Sequence, residues 1–166
     1  MTDWTDRFGG KLVLVLLDNK FTPSIKAGRS LWGLQRDLTY RAGAGGDLIT
    51  VPAGFVTDLA SIPRWGWILL PPDGPWVKAA IVHDFLYATS GTAQWKRRRD
   101  GRARADPYTR AEADDVFKEA LQNRGVDRLR RLILWAAVRL GGGRGWGRDD
   151  SRQPVSKAGE AFVLER

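Results

Sequence analysis

The sequence predicts an α+β domain: a small N-terminal antiparallel β-sheet, then an antiparallel helix pair and a third helix. Three observations carry that expectation. Short apolar runs bounded by Gly, Pro, Asn and Asp fill the first 55 residues. Helical spacing of apolar residues, with recognisable start and stop signals, takes over from Trp76. The turns joining the early runs are short, which suits antiparallel neighbours and not the long crossovers of parallel strands.

Residues 11–18 contain a continuous apolar run of strand length, stopped by Asp18 and Asn19. Residues 31–41 alternate more loosely and put Leu34, Leu38 and Tyr40 inward. Residues 41–47 carry three glycines and form a turn signal. Residues 48–51 form a further strand, ended by Pro52. The cluster Pro71-Pro72-Asp73-Gly74-Pro75 breaks the chain before a helix over 76–89, which Ser90 and Gly91 end. Trp76, Ala80, His83 and Tyr87 share one row of it, and Ala79, Val82 and Leu86 form a second, so the helix is expected to be buried.

Residues 91–107 are polar and basic and read as an excursion loop. Thr109-Arg110-Ala111-Glu112 is a capping box that starts a helix near Arg110, with Asp114, Phe117 and Leu121 on one face and Gly125 at its end. The third helix is expected over 126–140, closed by Gly141-Gly142-Gly143. Its inward row is expected to include Leu129, Leu132, Ile133 and Ala136. The single domain then spans residues 1–143, followed by a Gly-, Arg- and Asp-rich tail over 144–166.

Composition removes several chemistries. There is no cysteine, hence no disulfide, thiolate metal site or cysteine nucleophile. There is one histidine, so two-histidine metal motifs are excluded. No signal-peptide pattern opens the chain, and no apolar run approaches the roughly 20 residues that span a bilayer. The net charge of +8 is uneven: residues 91–110 carry +5, residues 111–123 carry −3 and residues 124–148 carry +6. Two basic segments flank an acidic helix, a pattern suited to anionic lipid, wall polymer or, as a lesser alternative, nucleic acid.

Acid–base chemistry must therefore run on His83. An unperturbed imidazole titrates near 6.5, already suitable for a general base. A base also needs a carboxylate to fix its tautomer, and Asp58 or Asp114 can provide one. The same residues equally describe a buried histidine whose hydrogen bonds brace the helix pair. Asp84, one step round from the inward row, is expected to face away from the core, within reach of a hard cation.

Three motifs occur in order: V-P-A-G-F-V-T-D-L-A-S-I-P over 51–63, A-A-I-V-H-D-F-L-Y over 79–87, and R-A-E-A-D-D-V-F over 110–117. Together they closely resemble the bacteriophage and prophage family catalogued as domain of unknown function 1353. The resemblance covers residues 47–143. It implies an accessory protein of the late or tail-region type, with other phage proteins as partners, located in the host cytoplasm or the virion. More locally, the helix bearing His83-Asp84 and the later Asp114 helix look like the phospholipase A2 pattern. That resemblance implies His83 as the water-activating base, Asp84 as a Ca²⁺ ligand, and Tyr87 and Asp114 as groups that orient the histidine. It also implies hydrolysis of lipid or other esters. The chain departs from the pattern in lacking the glycine-rich Y-x-G-x-G calcium loop.

Overall fold

The computed structural model describes residues 6–17, 31–43, 46–57, 59, 74–94 and 104–147. Among these residues six short strands precede three helices: β1 (Phe8–Gly9), β2 (Leu14–Leu17), β3 (Leu31–Leu34), β4 (Leu38–Arg41), β5 (Leu48–Val51), β6 (Val56–Thr57), α1 (Val77–Ala88), α2 (Arg110–Asn123) and α3 (Arg128–Gly141). A 3₁₀ turn, Gly142–Arg144, continues α3. The fold is α+β with antiparallel strands, as the sequence predicts.

The β portion forms two three-stranded sheets instead of one, in the orders β1-β4-β5 and β2-β3-β6. The division falls inside residues 31–41, where Gln35, Arg36 and Asp37 separate β3 from β4. The Asp37 carboxylate accepts from the Ala53 amide at 2.8 Å, and the Gly54 amide donates to the Leu34 carbonyl at 2.6 Å. These bonds hold the β5–β6 corner against the β3–β4 corner, so the two halves enter different sheets. The inward residues are those that alternation picks out: Leu34, Leu38 and Tyr40 are wholly buried.

Helix α1 has buried side chains on every side from Ala79 to Tyr87. It is wedged between α2 and the β layer. Its end is set by Thr89, whose hydroxyl donates to the Phe85 carbonyl, and by Gly91, whose amide donates to the Leu86 carbonyl. Gly91 has φ +76, and a Cβ there would meet the Tyr108 carbonyl oxygen at 1.8 Å. No other residue fits that position without moving the strand of chain that leads into α2.

Helix α2 carries the full capping box: Thr109 accepts from the Glu112 amide, and Glu112 accepts from the Thr109 amide at 2.7 Å. α1 and α2 run antiparallel. The α1 start is tied to the α2 end by Arg124 Nε donating to the Pro75 carbonyl, while Tyr87 near the α1 end meets Asp114 near the α2 start. Glu119 fastens the sheet to α2: its Oε1 accepts from Arg7 at 2.6 Å, Tyr40 at 2.8 Å and the Gly43 amide at 2.9 Å.

Helix α3 starts at Arg128, two residues later than expected, because Asp127 is its cap and accepts from the Arg130 amide. Its orientation corrects the sequence reading. Leu134, Ala137 and Val138 are buried, whereas Leu129 is 68% and Leu132 47% exposed. The helix has apolar residues on two sides, and the shorter side faces the core. Among the described residues no helix is long and apolar enough to cross a membrane.

Candidate functional site

His83 sits in the middle of α1, 2% exposed, with its ring stacked at a tilt between Tyr87 (4.2 Å) and Phe117 (4.8 Å). Its Nε2 lies 3.1 Å from Asp114 Oδ1 on α2. The carboxylate oxygen can only accept, so Nε2 carries the proton and Nδ1 is left with its lone pair. Tyr87 donates its hydroxyl to the same Oδ1 at 2.6 Å. The other oxygen, Oδ2, accepts from Arg139 of α3 at 3.3 Å. Asp114 is wholly buried, and three groups from two helices consume its charge.

The helical spacing explains the convergence. His83 and Tyr87 are four apart on α1 and project from one face. Asp114 lies one turn into α2, where the antiparallel pairing sets it opposite them. The α2–α3 hairpin turns at Gly125, whose φ is +74. Residues equidistant from that turn face each other: Trp135 donates to Asp115 at 3.0 Å, and Arg139 donates to the Ala111 carbonyl at 2.9 Å. Arg110 returns the contact by donating to the Arg139 carbonyl at 3.1 Å.

Protonation follows from these contacts. Burial pushes His83 below its ordinary 6.5, and the hydrogen bond and charge of Asp114 only partly oppose that. The ring is therefore neutral at pH 7. Burial pushes the Asp114 carboxyl up, but the hydrogen bonds from His83, Tyr87 and Arg139 together hold it below the usual carboxylate value. Burial, then the hydrogen bond to Asp114, raises Tyr87 well above the ordinary tyrosine value, so its hydroxyl remains a donor.

His83 Nδ1 is buried and has no hydrogen-bond partner among the described residues. An unsatisfied buried polar atom costs about 1–3 kcal/mol. A group kept at that cost in a closely packed helix pair calls for a functional explanation.

Other expected site residues fare differently. Asp84 does not face away from the core. It is buried, and its Oδ2 accepts from Thr57 Oγ1 of β6 at 2.5 Å. The reason is that α1 is covered on both sides. Asp58 lies outside the described residues. Of the two carboxylates that could reach His83, Asp114 does so. The calcium role implied for Asp84 finds no cluster of acidic side chains to support it among the described residues. That ion takes six to eight oxygens, and no group of three or more His, Asp or Glu side chains able to hold a metal occurs among them.

Sequence reasoning missed Arg139 and Thr57. Arg110, on the same helix as Asp114, binds a backbone carbonyl of α3. The signal for Arg139 was the hairpin itself: counting equally in both directions from Gly125 places it beside the Asp114 turn. Thr57 carried a weaker one, the Thr-Asp pair closing a strand.

The molecule is thus an α+β domain built around a buried His–Asp–Tyr group with one free imidazole nitrogen. A family model described as "Protein of unknown function (DUF1353)" matches residues 32–138, from β3 through most of α3, and the chain belongs to that family. No curated protein and no solved structure matches it.

Proposed function

We propose that His83 is a general base and that the domain hydrolyses esters in the manner of the phospholipase A2 pattern its helices resemble. The setting is the one the first resemblance implies, a bacteriophage or prophage accessory protein. One observation carries the catalytic reading: Nε2 is fixed on Asp114 while Nδ1, neutral and unpartnered, is free to accept a proton. Nδ1 takes a proton from water as the water oxygen bonds to the ester carbonyl carbon. The same proton passes to the leaving alkoxide as the carbon–oxygen bond breaks, giving an acid and an alcohol. Asp114 stays ionised throughout and stabilises the imidazolium. No step is assigned to calcium.

Turnover of a fluorogenic phospholipid or simple ester tests this. His83→Gln should lower kcat by about 10²- to 10⁴-fold with the fold retained by circular dichroism. Equal activity in wild type and variant would refute it. The burial of the trio favours a second reading, a brace between α1 and α2. Under that reading neither protein turns over ester, and His83→Gln costs stability alone.

A further inference from the structure

We infer that the outer face of α3 is a docking surface for an anionic lipid bilayer. Leu129, Leu132 and Leu140 are 68%, 47% and 88% exposed, and Ile133 and Ala136 between them are half-buried. These five residues fall on one side of the helix, opposite Leu134 and Val138, which face the core. None of the five belongs to the buried core. Water around three leucine side chains on one short helix is unfavourable, and a contiguous exposed apolar patch marks a contact surface.

The charges beside the stripe specify the partner. Arg128 and Arg130 lie on its two flanks and are exposed. Arg130 pairs with the cap residue Asp127, while Arg128 has no acidic partner among the described residues. α3 itself contains four arginines and no acidic residue. Leucines on one side with arginines along the borders are the arrangement by which a helix lies in a membrane interface, its apolar side in the acyl boundary and its cations among anionic headgroups. A second protein copy fits less well: five residues of a single convex helix fall far short of the roughly 20–30 residues per side of a specific interface.

The docking surface does not depend on the hydrolase reading: its leucines lie on the side of α3 opposite Leu134 and Val138, which face the core.

Vesicles of ether-linked lipids separate the two, since they contain no ester to cleave. The full chain is co-sedimented with phosphatidylcholine vesicles, alone or mixed with phosphatidylglycerol. Wild type should partition to the anionic vesicles about tenfold or more above the neutral ones. L129Q/L132Q/L140Q should lose about tenfold or more of that binding with an unchanged melting temperature, because the three side chains are exposed. R128Q/R130Q should lose the preference for phosphatidylglycerol and retain weak binding. Failure of wild type to bind, or undiminished binding by the leucine variant, would overturn the inference. So would a soluble dimer that the leucine variant abolishes, which would make the surface an interface between copies. Loss of ester turnover in His83→Gln bears on the hydrolase reading alone.

Discussion

The single histidine of this protein has two unlike ring nitrogens. Nε2 has a carboxylate partner and Nδ1 has none among the described residues. Nitrogen NMR should find the proton on Nε2 at neutral pH. Because burial holds His83 below its unfolded value of 6.5, the unfolded chain binds a proton that the folded one refuses as pH falls through that value. Stability should therefore decline from about pH 6.5 downward until the folded pKa is passed, and be unaffected by this group above 6.5. Asp114 has the opposite placement: its stabilising effect is complete above its unfolded value of 3.8 and is lost only as pH drops through its lower folded value. Melting curves between pH 7 and 4.5 isolate the histidine, and His83→Gln should flatten them. Asp114→Asn should destabilise by about 1–3 kcal/mol in urea titrations, since His83 and Tyr87 lose a buried charged acceptor. Helical spacing put His83 and Tyr87 on one face, while Asp114 was one of two carboxylates the sequence offered them. The burial of Asp84 was not legible, because a helix covered on both sides has no outward face for a spacing rule to find.

At the level of elements, α1 and α2 lay open to reading, and so did the extent of α3 but not the side it turns to the core. Capping box, Gly punctuation and a broad apolar band fix the first two locally. In α3 the leucines at 129, 132 and 140 form a stronger periodic signal than the core-facing Leu134, Ala137 and Val138. Periodicity identifies an apolar side without saying what covers it. The caps themselves are quantitative. Thr109→Ala should cost about 1 kcal/mol, and Asp127→Ala a similar amount, in thermal or urea unfolding. Gly142 yields a sharper test. Its backbone is ordinary for a helix end (φ −74), yet an added Cβ would come 2.5 Å from the Tyr87 hydroxyl. Propensity alone would make Gly142→Ala stabilising by up to about 1 kcal/mol. Contact with Tyr87 should reverse that to a loss of about 1–3 kcal/mol and weaken the bond from Tyr87 to Asp114.

Across the whole molecule, Glu119 and Arg139 connect what sequence separates. Glu119 gathers Arg7 of the N-terminal segment, Tyr40 of β4 and the Gly43 amide onto one oxygen of α2. Glu119→Ala should strand the buried Tyr40 hydroxyl and lower stability by about 1–3 kcal/mol, with sheet and helix signals still melting together. Such long-range ties are invisible to local pattern, which is why two sheets were read as one and Arg139 was passed over. Packing also reaches Trp146, edge-on to Tyr87 at 5.1 Å, so contact with the helix pair continues beyond the third glycine.

The turn at Gly125 gives the α2–α3 hairpin a consequence of its own. Arg139 reaches Ala111 and Asp114 because equal lengths of helix leave that turn in each direction. One residue added within α3 would swing everything beyond it by about 100° and carry the guanidinium off the carboxylate. Variation in the length of this hairpin should thus come in multiples near a full helical turn, or be accompanied by another cation at the Asp114 end. Comparing hairpin lengths among related chains, a measurement needing no protein at all, would reveal whether the charge on Asp114 sets that spacing.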